Sequence, residues 1–283
     1  MNSITQSIER RRLALIAALL VMTAPLVALD VFKFDPAKNL RFSHGSYADG
    51  ALVENPSFLL VGRDLSGLGW GPGNHGVTLI SPQHFVTAAH VAPLPGGTVS
   101  FLNRAGLVKH YQVDSVYSVE HRPGVRTDLV VGRLTAAIPP EDQVGFFPTL
   151  KLPTPAQYVG LAVYSFGIYQ SCGTNIIARA GTYDLLPFNR GDRVKDDILF
   201  ATDWFHVTGC AQAQGNDSGS PTLVDYNGRL ALIGSHSAVD TTREPYSTLD
   251  VLIPAYFEPI TARLALDGFA FGNVAPGSGR RSP

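Results

Sequence analysis

"GNDSGSP", residues 215–221, sets an acid and two serines among two glycines and a proline. These are the residue types of any turn. The segment alone therefore does not separate a nucleophile held in a shaped loop from a polar link between strands. The rest of the chain decides, by supplying or lacking a base, an orienting carboxylate and donors for an oxyanion. "FVTAAHVA" (85–92) places His90 just after a short apolar run, among small residues that let an imidazole lie against packed backbone with one edge in a cleft. "RTDLVVGRL" (126–134) opens a strand with Asp128, at the border of buried surface. Singly, each has an ordinary reading, as a satisfied histidine, a strand-start acid and a turn serine. Together, in the order His, Asp, Ser, spaced 38 and then 90 residues apart, they are hard to explain that way.

The surrounding sequence is that of an all-β protein. Its 283 residues hold 28 glycines and 20 prolines, a turn-rich count that implies many short strands. Only 16% of residues are charged and 45% are hydrophobic, which suits a packed core and excludes a disordered chain. Six short apolar runs bounded by turn residues are expected as strands of a first lobe: "SFLLVGR" (57–63), "GVTLIS", "HFVTAA", "TVSFLN", "YQVDSVYSV" and "DLVVGRL". Six more follow from "YVGLAVYSFG" to "LDVLIPA", with "YNG" (226–228) marking a tight hairpin. The reading is two six-stranded Greek-key β-barrels with a C-terminal helix near 254–266, where Tyr256, Ile260 and Leu264 share a face. The organisation expected is a connector at 30–48, a first barrel at 49–140, a crossing at 141–157, a second barrel with the helix at 158–266 and a loose tail at 267–283.

At the N-terminus "ERRR" precedes seventeen uncharged residues, 13–29. That is the layout of a secretory signal, and residues 1–29 are expected to be a signal peptide or an uncleaved membrane anchor. The remainder is then secreted or periplasmic. Cleavage after Ala24 or Ala28 is weakly marked, since neither has a small residue two places earlier. A net charge of −1 without a basic run after Arg12 argues against a nucleic-acid partner. There is neither a CxxC nor an HExxH motif, so no metal or other cofactor is expected. Contact with a membrane is expected only through the N-terminal segment, and the protein is read as a monomer.

"TAAH", "TDLVVGRL" and "DSGSP" resemble the signature segments of trypsin/chymotrypsin-like serine proteases, and "YQSCGT" and "GCAQAQGNDSGSP" lean toward bacterial members. The resemblance implies an exported serine endopeptidase acting on protein or peptide substrates. Ser218 is then the nucleophile, His90 the general base and Asp128 the orienting acid. The amides of Asn216 and Ser218 form the oxyanion hole, and Asp217 turns inward to brace the loop. A Cys172–Cys210 disulfide is implied by the nearness of their strands in this fold. Gln212, Ala213, His236, Ser237 and Val239 are implied as the pocket for the side chain preceding the cut.

The chain also departs from that pattern. Asn216 stands where the family has glycine, at a position that favours a left-handed backbone; asparagine tolerates it, and the hole either keeps this donor or turns it away. No "IVGG"-type new N-terminus is present, so Asp217 needs another partner. His236 resembles the histidine of glutamate-selective bacterial enzymes, or is a core-facing substitution without a role in specificity. Val239 argues for small apolar side chains instead. The alternative function is a catalytically impaired protease-fold binding protein. An α/β-hydrolase fails on residue order and on the lack of a GxSxG elbow.

Overall fold

The computed structural model describes residues 29–44, 52–183 and 197–274. The expected signal or anchor, apart from Leu29, lies outside these residues, as does the last part of the tail. Two closed barrels dominate, and every strand pairing in them is antiparallel. Before them the chain forms β1 (Asp30–Val31), β2 (Phe42–His44) and β3 (Val53–Glu54). The first barrel comprises β4 (Leu68–Trp70), β5 (Gly76–Leu79), β6 (His84–Ala88), β7 (Thr98–Leu102), β8 (Val108–Arg122) and β9 (Val125–Leu134). Its neighbours run β4-β5-β6-β9-β8-β7. The second comprises β10 (Ala162–Phe166), β11 (Cys172–Tyr183), β12 (Asp197–Asp203), β14 (Pro221–Tyr226), β15 (Arg229–Asp240) and β16 (Ser247–Leu252). These close in the order β10-β11-β12-β16-β15-β14. The remaining strand, β13 (Ala211–Gln212), pairs with β1.

The first lobe has its six strands, but one is not where the sequence suggests. "SFLLVGR" is a succession of turns, closed by Val61 N–H to Phe58 O (2.9 Å) and Arg63 N–H to Leu60 O (3.1 Å). Phe58 and Leu60 are buried and Val61 is exposed, which gives the same alternation as a strand. The sixth strand is the glycine-containing "LGW" of β4. Glycine weakens a strand but permits close approach. A Cβ on Gly69 would lie 2.5 Å from the ring of Phe101, inside that barrel's core. In the hairpin between β14 and β15, Asn227 and Gly228 have φ of 52° and 80°, as a two-residue turn with both central residues left-handed requires.

The connector is also more ordered than its polar composition suggests. Leu29 and Val31 are buried with Ala211 and Ala213 against the second barrel. Part of the tail packs too: Thr149 donates to Gly272 O (2.8 Å) and Val274 to Thr149 O (2.9 Å).

One continuous apolar cluster joins the barrels. It holds Leu68, Val86, Leu129 and Val131 from the first and Leu199, Leu223 and Val251 from the second, with Tyr256, Ile260 and Leu264 from the C-terminal segment. The helix Phe257–Ala265 buries Ile260 and Leu264 completely. Burial of each such side chain stabilises the fold by about 2 kcal/mol. The clamp matters because the site is assembled from both barrels.

Candidate active site

β6 ends at Ala88, and the chain turns once through Ala89–Val91. Ala88 is wholly buried, so this turn is pinned while the His90 side chain stays one-fifth exposed. Asp128 sits on β9, which pairs with β6, and its carboxylate is only 2% exposed. From Nδ1 of His90 to Oδ2 and Oδ1 of Asp128 is 2.9 and 3.1 Å, and the His90 amide donates to Oδ1 at 3.1 Å. A carboxylate only accepts, so Nδ1 carries the proton and Nε2 keeps a lone pair. That nitrogen is 2.8 Å from Oγ of Ser218, which is contributed by the second barrel. A fourth residue joins: the Ser237 hydroxyl donates to Asp128 Oδ2 at 2.6 Å.

Behind the acid lies a group that sequence reasoning missed. The Asp128 amide donates to Oδ2 of Asp197 at 2.9 Å, and the Tyr256 hydroxyl donates to Oδ1 of the same carboxylate. Burial pushes the pKa of Asp197 up to about 6. Nothing local in "DDILF" marks this role, because both partners are distant in the chain.

The loop that carries Ser218 depends on contact between the barrels. The Gly76 amide donates to Ser218 O (3.3 Å), Thr87 Oγ1 donates to Gly76 O (2.7 Å), and Gly219 N–H donates to His236 O (2.9 Å). Gly219 has φ of 78°, and a Cβ there would lie 2.3 Å from Thr87 Oγ1. Asp217 is fully buried and turned inward, accepting the amides of Ile168 and Gln214 at 2.7 Å each. Its burial raises its pKa to about 6.

Asn216 does not adopt the left-handed backbone expected of it. Neither it nor Gly215 has positive φ, and Asp217 N–H donates to Gln214 O at 3.0 Å. A hydrogen-bonded turn with negative φ at both central residues is type I. Its central peptide faces the opposite way from that of a type II turn, whose third residue needs positive φ. Beside this turn stands His75. Burial lowers its pKa, opposed by the Asn216 backbone and aided by His90.

A cleft of about 490 Å³ opens at Ser218, walled by Ala213, Gln214, Gly215, Ala238 and Val239 with His90, His236, Ser237 and Thr241. Gln212 does not line it. Its side chain is buried and its strand pairs with Asp30. His236 borders the cleft but offers it no free donor. The ring is buried, with Nδ1 against Asp250 and Nε2 2.6 Å from Phe166 O.

Both cysteines are free, so the expected disulfide is not formed. The Cys210 backbone bridges to Thr174 rather than to Cys172, and the Cys210 sulfur accepts from the Phe205 amide. The Cys172 sulfur instead lies in the apolar cluster between the barrels. Among the described residues no group of acids, histidines and cysteines could hold a metal, and no helix is long and apolar enough to cross a membrane.

A family model described as Trypsin matches residues 72–260, about two-thirds of the chain, including His90, Asp128 and Ser218. The protein belongs to the trypsin family. No curated protein matches the chain. Membership makes it a serine protease in general terms, with peptide substrates, on the two-barrel fold described above.

Proposed function

We propose that this trypsin-family chain is an exported endopeptidase that works through a Ser218–His90–Asp128 triad and an acyl-enzyme. The observation that carries this reading is the hydrogen-bond line from Asp128 through both ring nitrogens of His90 to Ser218 Oγ. A serine hydroxyl attacks a carbonyl usefully only if its proton leaves as the bond forms. His90 Nε2 takes that proton and returns it to the leaving amine. Asp128 holds the tautomer and stabilises the imidazolium. Water then attacks the ester carbonyl, with His90 again the base, and frees Ser218. Ser237, the His90 amide and Nδ1 supply the Asp128 oxygens with donors and fix the carboxylate in place.

Export is proposed from the basic flank and apolar run at residues 9–29. For the side chain before the cut we propose a small apolar residue. Ala213, Ala238 and Val239 line the cleft, and the ring that favoured an acidic residue has both nitrogens engaged. A peptidyl phosphonate tests the chemistry and the preference together. Wild type should be labelled at Ser218, faster with Ala or Val than with Glu in the first position, and His90→Ala should not be labelled. An unlabelled wild type would refute the triad reading, and faster labelling by Glu would refute the apolar pocket.

The impaired-protease reading has one observation in its favour, the type I turn at Gln214–Asp217. If catalysis uses the reversed central peptide, the enzyme must swing Asn216 to positive φ. That costs a non-glycine residue about 1 kcal/mol. Asn216→Gly is then expected to raise kcat by roughly fivefold, because 1.36 kcal/mol is tenfold in rate. Steady-state kinetics on an amide substrate reads this directly. An unchanged or lower kcat would mean that the type I turn is itself the productive form.

A further inference from the structure

Asp217 is completely buried and, among the described residues, forms no ion pair. Two backbone amides hold its oxygens, but such a carboxylate also calls for positive charge nearby. No lysine or arginine among the described residues pairs with it. His236 is linked to it through a short stretch of backbone. One three-residue strap, Phe166–Ile168, connects the two: His236 Nε2 meets Phe166 O at 2.6 Å, and the Ile168 amide donates to Asp217 Oδ1 at 2.7 Å. A Cβ on the intervening Gly167 would stand 2.7 Å from that same oxygen.

The protons on His236 follow from its partners. Phe166 O is a carbonyl and can only accept, so Nε2 bears a hydrogen. Nδ1 meets a carboxylate oxygen of Asp250, whose other oxygen is occupied by the Thr222 hydroxyl. The groups against the ring are therefore one acid, Asp250 from β16, and one carbonyl from β10, with Asp217 on the far side of the Phe166–Ile168 strap. Burial opposes a charge on the ring, but Asp250 and then Asp217 raise its pKa above the ordinary histidine value. The backbone of the same residue clamps the loop on its other side. His236 O accepts from Gly219, and its amide donates to Ser220 O, both at 2.9 Å.

We propose that His236 is a positioning residue: a buried imidazolium that supplies the cation for Asp217 and Asp250 and thereby holds the nucleophile loop in place. The proposal rests on the protease reading above. Both ring nitrogens meet acceptors, as a charged ring requires; with its pKa raised above the ordinary histidine value, that charge is fully present below the ordinary value and is lost as pH climbs through the folded one. Activity should therefore fall on the alkaline side as the ring loses its proton.

Nitrogen-15 NMR of the full-length histidine-labelled protein tests this without relying on turnover. Both ring nitrogens of His236 should be protonated at pH 7, and their titration should coincide with the alkaline fall in kcat/KM. A neutral ring at pH 7 would overturn the proposal. Variants then separate its two acids. His236→Gln should lower both Tm and kcat/KM, the latter at least tenfold, and abolish the alkaline limb. Adding Asp250→Asn should recover Tm but not kcat/KM, because Asp217 still lacks its cation. Recovery of both would show that His236 serves Asp250 alone and would sink the idea. If the variants do not fold, the ring titration still decides. Failure of wild type to label at Ser218 would refute the protease reading instead, and the NMR result would stand apart from it.

Discussion

Ser218→Ala and His90→Ala should each lower kcat by about 10⁶-fold, and the double variant should lose little more. The reason is geometric. Oγ and Nε2 are 2.8 Å apart and share one proton, so removing either end of that bond abolishes the same step. Without the base, the hydroxyl keeps its proton; without the hydroxyl, the base has no nucleophile to activate. Independent contributions would instead multiply, giving a double variant far below either single one. The measurement is kcat for one peptide amide substrate across the four proteins, with Asp128→Asn as a companion. The carboxamide introduced by that change can present its NH₂ to the ring and force the wrong tautomer, so this variant should also be severely slowed. Multiplicative losses would exclude a shared proton transfer. A Ser218→Ala variant with ordinary turnover would exclude Ser218 as the nucleophile.

The segments that carry His90 and Ser218 are legible because the residues they need are confined to short stretches of chain. "TAAH" must be small to seat a ring against backbone, and "DSGSP" must turn sharply. Barrel strands were legible for a similar reason, since alternation and turn residues are local. "SFLLVGR" shows where that logic fails. Buried Phe58 and Leu60, with half-buried Leu59 between them and exposed Val61 after, satisfy a strand pattern, but the backbone closes on itself in turns. β4 was invisible because three residues with a central glycine carry almost no period.

Partners distant in the chain were illegible for a different reason. His236 stands out in the sequence beside Ser237, where its position allows either a pocket donor or a core-facing residue. What the ring does depends on Asp250 and Phe166, which strand register alone brings to it. Asp197 behind Asp128 is the same case, since its own neighbours in sequence say nothing of the triad. For Cys172 and Cys210 the resemblance implies only that their strands run near each other. A disulfide also needs the two sulfurs to face each other. Here one faces the inter-barrel core and the other the Asp203–Phe205 backbone.

Gly76→Ala is expected to have the second largest effect, although Gly76 touches no reacting atom. It lies on β5 of the first barrel, where the nucleophile loop of the second barrel rests directly on the strand. A Cβ at this position would stand 2.4 Å from Ser220 Cα, 2.6 Å from its nitrogen and 2.8 Å from its Oγ. Two of those atoms are backbone, which cannot rotate aside as a long side chain would. Retreat of the strand is blocked as well, because Thr87 holds Gly76 O and the Gly76 amide holds Ser218 O. The loop must move instead, by something like an ångström, and a displacement of that size at a nucleophile costs about 100-fold in rate. The loss should appear in kcat with Tm only modestly reduced, because the barrel cores are untouched. Gly71→Ala is the control. The nearest atom to its Cβ would be Val77 Cγ1 at 3.7 Å, an ordinary contact, so near wild-type activity is expected. If Gly76→Ala kept full kcat, the close seating of one barrel's loop on the other would not be what aligns Ser218 with His90.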